Sequence, residues 1–192
     1  IYCKKMIITA KQCGKQLFVV KQNRFNPPVQ AVKRLLDENR LGEIYSVQLN
    51  CFWNREAGYY KQDTWRGTKK LDGGILFTQF SHFVDILYYL FGDIKDCHGI
   101  TRNFNHPYIE IEDTGSFFMQ TLDGAIVNFN FSTCSHEKNM EGAFSVLALV
   151  DGPYGHQQAV GLVNCLEGFS TFACKPLVNV HDVAVLPAFR GQ

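Results

Sequence analysis

The sequence predicts an α+β fold: an open, mostly antiparallel sheet with helices on one face, preceded by the last helix and strand of a doubly wound α/β unit. Three observations carry this prediction. Strand-like runs recur through the second half of the chain, at Cys97–Asn103, Thr114–Thr121 and Ala125–Thr133, with Asp123-Gly124 as the turn between the last two. Helical periodicity is confined to stretches ahead of those strands. At the start, a periodic segment from Tyr2 to Cys13 stops at Gly14 and leads into Leu17–Val20, a continuous apolar run of the kind found in strands covered on both faces.

The remaining elements follow in order. Pro27-Pro28 opens a helix through Asn39, where proline is tolerated because the first turn has no intrahelical acceptor for its amides; Val29, Val32, Leu35 and Leu36 share one side. Gly42 precedes a strand from Ile44 to Trp53, with Tyr45, Val47, Leu49 and Cys51 alternating. Asn54–Lys70 has no period and is a long loop of the kind that carries function. Gly73-Gly74 leads into a single apolar helix, Ile75–Phe91, whose Thr78, Gln79, Ser81, His82 and Asp85 argue against a membrane span. Ala143–Val150 reads as a strand, and weaker strand signals occupy Ala159–Leu166 and Val178–Leu186. The expected division is 1–27 as the remnant of an N-terminal unit and 28–192 as the main domain.

Composition narrows the function. With 46% hydrophobic and 19% charged residues and a net charge of +1, the chain is an ordinary globular protein without a field that recruits nucleic acid or an anionic membrane. Its seven cysteines include no Cys-x-x-Cys pair, so no metal site is expected and they read as small buried hydrophobes in a reducing cytoplasm. The sequon Asn130-Phe131-Ser132 sits in a strand-like run and reads as chance. The chain begins with Ile1 rather than Met, which fits a fragment or a processed product. No Gly-x-Gly-x-x-Gly cradle, phosphate loop or nucleophile elbow is present.

Chemistry concentrates in three places. On one continuous helix, Thr78, His82 and Asp85 would share a face at i, i+4 and i+7, and a histidine near neutrality can exchange a proton with a substrate hydroxyl. Spacing alone favours instead a core histidine bonded to backbone or to Asp85. The loop from Arg55 through Tyr59, Tyr60, Trp65 and Arg66 offers two guanidinium forks for carboxylate or phosphate and aromatic faces for rings; it also reads as a loop anchored by its aromatics. Lys21-Gln22-Asn23-Arg24 follows the first apolar run, where ligands of open α/β sheets bind, or is a solvated strand end.

Taken together, these motifs resemble the glucose–fructose oxidoreductase / inositol dehydrogenase / rhizopine catabolism (Gfo/Idh/MocA) family. The resemblance rests on Leu41-Gly42-Glu43-Ile44, Tyr59-Tyr60 with Trp65-Arg66-Gly67, and Gly73-Gly74 with His82 and Asp85. It continues through Phe91-Gly92, Glu112-Asp113-Thr114 and Leu122-Asp123-Gly124-Ala125. Lys21-Gln22-Asn23-Arg24-Phe25-Asn26-Pro27 is similar to the branch acting on UDP-linked N-acetylamino-hexuronic acids in lipopolysaccharide sugar synthesis. The resemblance implies an NAD-binding Rossmann domain followed by a sheet domain that shapes the substrate site and mediates homo-oligomerisation. It also implies a Glu-Lys-Pro lysine that would lie before Ile1. His82 matches the family's acid/base histidine, while Thr78 stands where the family commonly has Asp or Asn. From Asp151 to Gln192 the resemblance fades.

The resulting expectation is the substrate domain of an NAD-dependent oxidoreductase that oxidises a ring hydroxyl, at C3, of a UDP-linked N-acetylhexosaminuronic acid. His82 and Thr78 are the candidate catalytic residues. Asn23, Arg24, Tyr60, Arg66 and Gln79 are candidates for substrate binding, and Lys21 and Gln22 for the cofactor edge. The 192-residue chain alone is not expected to turn over. Two alternatives stand beside this: a non-catalytic sheet module that pairs with itself, and a relative acting on a free sugar or inositol.

Overall fold

The computed structural model describes residues 2–136, 139, 141–151, 157–170 and 175–185. Its core is a seven-stranded sheet in the order β2-β3-β4-β1-β5-β6-β7. The strands are β1 (Glu43–Phe52), β2 (Ile94–Arg102), β3 (Thr114–Thr121), β4 (Ile126–Ser132), β5 (Glu141–Asp151), β6 (Gln157–Ser170) and β7 (Lys175–Val185). Among the described residues the one parallel pair is β1 with β4, registered from Ser46 opposite Ile126 to Phe52 opposite Ser132. Parallel neighbours need a crossover, and the helices and the β2–β3 hairpin lie between these two strands in the chain. The expected open, mostly antiparallel sheet is therefore present, with each strand anticipated from Ile44 onward within a few residues of its expected bounds; Leu186 and Gly152–Gly155 lie outside the described residues.

Alternation makes the sheet two-sided. Val47, Leu49 and Cys51 of β1 and Val127, Phe129 and Phe131 of β4 are buried on one face. They form a single core with Val29 and Val32 of α2 (Pro27–Asp37) and with Phe83, Ile86, Leu87 and Leu90 of the last helix. On the opposite face Ser116 bonds Asn130, and Asn130 bonds Asn50. Asn130 is thus a strand residue within an amide network.

Two helix ends follow their sequence signals. The first helix, α1 (Tyr2–Gln12), closes with Lys15 N–H on Ala10 O and Gly14 N–H on Lys11 O, and Gly14 takes the left-handed φ of 61° that this cap requires. The same pattern ends α2 at Asn39, whose φ is 52°.

Three expectations change. Leu17–Val20 is not a strand: no described residue pairs with it, and Phe18, Val19 and Val20 are exposed, because a covered strand needs hydrogen-bonded neighbours that are not among the described residues. The cysteines do not behave alike. Cys51 is buried, whereas Cys3, Cys13 and Cys97 are exposed, the first two near the ends of a helix with little packed on it and the third on the edge strand β2. Finally, Ile75–Phe91 is two helices, α4 (Ile75–Thr78) and α5 (Ser81–Phe91), after a short α3 (Ala57–Lys61) inside the long loop. The interruption is at Phe80, whose N–H reaches back five residues to Ile75 O at 2.9 Å. Phe80 is fully buried between Trp53 and Phe131, with ring centroids 5.2 and 4.9 Å away. Packing of this ring outweighs the continuous helical register.

Candidate active site

The break at Phe80 decides where the site lies. Gly74 precedes α4 with φ 116°, and the Glu112 carboxylate presses against it: a Cβ there would stand 2.6 Å from Glu112 Oε1. The same oxygen accepts the Leu76 N–H at 3.2 Å, so Glu112 holds the α4 N-terminus. From the opposite side, a 3-10 turn, η1 (Gln22–Phe25), buries Asn23. Beyond the end of β1 the chain stays extended, with Trp53 N–H on Ser132 O and Arg55 N–H on Thr133 O. Residues two apart therefore project alike, and Trp53 and Arg55 reach the same place.

These pieces enclose a pocket of about 330 Å³ lined by Gln22, Asn23, Trp53, Arg55, Thr78, Gln79, His82 and Asn139. Five of the nine residues singled out from sequence meet here: Gln22, Asn23, Thr78, Gln79 and His82. Lys21 lies beside them, its Nζ 3.0 Å from Ser81 Oγ.

His82 is half-buried, and its Nδ1 is buried with no hydrogen-bond partner among the described residues. Burial and then the nearby Lys21 charge pull its pKa below the ordinary value, against an opposing pull from Asp85. The other two members of the i, i+4, i+7 series each have a partner other than His82. Thr78 Oγ1 lies 2.8 Å from Asp72 Oδ1 and 3.1 Å from Gly74 O, so its one hydrogen is committed away from His82. Asp85 is held by Arg24, whose Nε and Nη2 donate to its two oxygens at 2.6 and 2.7 Å.

The structure does not bring three expected substrate contacts into the pocket. Arg24 is committed to that bidentate pair and lies 4.9 Å over the Tyr89 ring. Tyr60 is buried, its hydroxyl 3.5 Å from Thr133 Oγ1, and burial pushes its pKa up to about 12. Arg66 pairs with Asp63 at 2.7 Å and covers the Tyr59 ring at 4.3 Å.

In their place stands Arg55, a member of the loop motif with no individual role expected from its spacing. Its guanidinium donates to Gln79 Oε1 at 3.1 Å, Asn54 O at 2.6 Å and Asn139 Oδ1 at 3.4 Å, and lies 4.9 Å over Trp53 and 5.2 Å over Tyr59. No carboxylate among the described side chains pairs with it. Burial lowers its pKa, but an arginine keeps its charge throughout the physiological range. Extending the expected Ile44–Trp53 strand by two residues would have found Arg55 on the same face as Trp53. Nothing in the sequence marks Asn139, which arrives from the segment before β5.

Below the pocket, His106, Asp113 and Cys134 bring ligating atoms within 4.8 Å of one another. Burial alone would raise Asp113, but the Asn105 and Phe104 backbone N–H groups and the His106 ring hold its carboxyl at about 2. No helix among the described residues is long and apolar enough to cross a membrane.

Known proteins extend this picture. WlbA dehydrogenase from Bordetella pertussis, solved in complex with NADH and UDP-GlcNAcA, shares 35% identity at a TM-score of 0.73, covering 84% of this chain and 47% of that one. The Chromobacterium violaceum WlbA dehydrogenase, also in complex with NADH and UDP-GlcNAcA, shares 37% identity at a TM-score of 0.72, covering 83% and 43%. D-apiose dehydrogenase from Rhizobium rhizogenes is 28% identical over 135 residues, which are 68% of this chain and 37% of that protein. The chain thus spans about half or less of the length of these relatives. The family model for the GFO/IDH/MocA C-terminal domain matches residues 29–148, from the start of α2 into β5 and across every strand that frames the pocket, and the chain belongs to that family.

Proposed function

We propose that this chain is the substrate-binding part of an NAD-dependent dehydrogenase that oxidises a ring hydroxyl, at C3, of a UDP-linked N-acetylhexosaminuronic acid used in lipopolysaccharide sugar synthesis. The observation that carries the reading is Arg55: a half-buried guanidinium without a carboxylate partner among the described side chains, in the same pocket as His82. An unpaired fork in a partly desolvated site is a receptor for a substrate carboxylate, and a uronic acid supplies one. The two WlbA complexes with UDP-GlcNAcA support the same substrate class.

In this reading His82 takes the proton of the sugar hydroxyl. Its lowered pKa keeps the ring neutral and able to accept at neutral pH, and with Nδ1 buried, Nε2 is the nitrogen that meets substrate. Asn23 and Gln79 bind sugar hydroxyls, and Trp53 gives the ring an apolar wall. Thr78 acts on the pocket's shape through Asp72 rather than on the proton. Nicotinamide supplies the hydride acceptor when bound. This chain's residues fit only the edge of such a cofactor, at Lys21 and Gln22, since no described loop forms a glycine-rich phosphate cradle. Self-association through the outer sheet face, where Phe118 and Ile126 are exposed, belongs to the same proposal and is read by light scattering.

The test is NMR observation of the His82 ring while UDP-GlcNAcA is added to the 192-residue chain. The expected result is a shift of its resonances that Arg55→Met weakens about tenfold in sugar concentration. A His82 signal that stays unchanged up to millimolar sugar overturns the reading.

A further inference from the structure

Arg55 is long and flexible, and only neutral groups touch its guanidinium. Something else has to fix where it starts. Its backbone is held on both sides by one buried residue, Asp113, through two routes. In the first, Arg55 N–H donates to Thr133 O at 3.0 Å, and Thr133 N–H donates to Asp113 O at 2.8 Å. In the second, the Asp113 carboxylate faces His106 Nδ1 at 2.9 Å, and His106 Nε2 lies 2.7 Å from Arg55 O. Carboxylate and peptide carbonyl are both acceptors, and each ring nitrogen faces one of them.

His106 is 3% exposed and Asp113 fully buried, so water does not compete for these bonds. Both oxygens of the carboxylate are already engaged. Oδ1 accepts from Phe104 N–H at 3.0 Å, and Oδ2 accepts from Asn105 N–H at 2.8 Å as well as from His106. The Cys134 thiol lies 3.7 Å from His106 Nδ1, and the Tyr60 and Tyr108 rings pack edgewise against the imidazole.

We infer that His106 and Asp113 are positioning residues for Arg55 and set the pocket's preference for an anionic sugar over its neutral counterpart. The inference rests on reading Arg55 as the carboxylate receptor. The loop Asp113–His106–Arg55–Thr133 clamps the peptide units flanking the Arg55 Cα, so that the fork meets a carboxylate with little left to order.

Two conservative variants separate the contacts. The amide of His106→Asn reaches the position of Nδ1 and keeps Asp113; that of His106→Gln reaches the position of Nε2 and keeps Arg55. Affinities of the 192-residue chain for UDP-GlcNAcA and for neutral UDP-N-acetylglucosamine are measured by calorimetry, with melting curves confirming that each variant is folded. The wild type should prefer the acid by about tenfold, the worth of one charge-assisted hydrogen bond. His106→Asn should cut that preference to about twofold while leaving the neutral sugar's affinity in place, and His106→Gln should retain most of it. Should His106→Asn not fold, Asp113→Asn carries the same comparison. A preference that survives His106→Asn overturns the inference, as does an equal loss for both sugars or an equal loss in both variants. A wild type without any preference overturns instead the reading of Arg55, and the inference with it.

Discussion

Thr78 turns its hydroxyl to Asp72, 2.8 Å from Oδ1, and away from His82, four residues further along the chain. Asp72 is buried, and its other oxygen accepts Gly67 N–H at 2.7 Å, so the carboxylate ties Thr78 of α4 to Gly67 in the loop that joins α3 to α4. Thr78→Val should cost about 1 kcal/mol of stability, and Asp72→Ala about 2–3 kcal/mol because it strands a buried donor. Neither change touches the His82 ring, so the His82 titration followed by NMR should stay where it is in Thr78→Val. A clear move of that midpoint would show that threonine orients the histidine after all.

His82 itself should titrate below the ordinary histidine value of 6.5, chiefly through burial and then through Lys21. Lys21→Met removes a positive neighbour and should raise the midpoint, and Asp85→Asn removes a negative one and should lower it further. The linked stability has a definite sign. A depressed folded-state pKa means that the unfolded chain binds the proton more tightly, so stability rises with pH across the window. The contribution is fully present above about pH 6.5 and is lost as pH falls from there through the lower folded-state value. Urea unfolding at a series of pH values, with His82→Gln as the reference, isolates it.

The reach of the sequence ended where side-chain packing chose between local options. Period-two alternation identified β1, β3 and β4 because those strands bury one face against α2 and α5, and a pattern of that kind is written residue by residue. The proline start and asparagine stop of α2 were legible for the same local reason. Periodicity carried no sign of the skip at Phe80, which comes from the contact of that ring with Trp53 and Phe131, 27 and 51 residues away. The site inherited that limit. His82, Gln79 and Asn23 were found through family motifs, whereas Arg24, Tyr60 and Arg66 carry the right chemistry but are occupied by Asp85, Thr133 and Asp63. Which arginine is left without a carboxylate depends on long-range pairing that spacing does not encode.

The Arg24–Asp85 pair is a structural clamp between η1 and α5. Its Nε–H···Oδ2 distance is 2.6 Å, and the Asp85 side chain is only 14% exposed. Arg24→Met should lower stability by about 1–3 kcal/mol, since it leaves a mostly buried carboxylate unpaired. Arg24→Lys should recover less than half of that, because a point charge cannot satisfy both oxygens in fork geometry. Thermal melting checks both. Binding of UDP-GlcNAcA to the folded fraction should change less than in Arg55→Met, and the reverse order would return Arg24 to the substrate.

Two glycines face phenylalanines across the sheet: Gly99 of β2 opposite Phe117 of β3, and Gly115 of β3 opposite Phe131 of β4. Each ring lies over the bare backbone of its partner. A Cβ at Gly99 would stand 2.3 Å from Phe117 Cδ1, and one at Gly115 would stand 2.4 Å from Phe131 Cζ. The two rings then stack on each other, 5.9 Å apart at 17°. The glycines thus make room for the aromatic layer that also packs Phe80, and so for the helix break that forms the pocket. Gly115→Ala should destabilise by about 1–3 kcal/mol, the range for overpacking, because Phe131 is fully buried and has nowhere to swing. Gly99→Ala should have a smaller effect, since Phe117 is only partly buried and β2 is an edge strand. Urea unfolding of the two variants tests the order, and equal losses would mean that Phe131 is no more confined than Phe117.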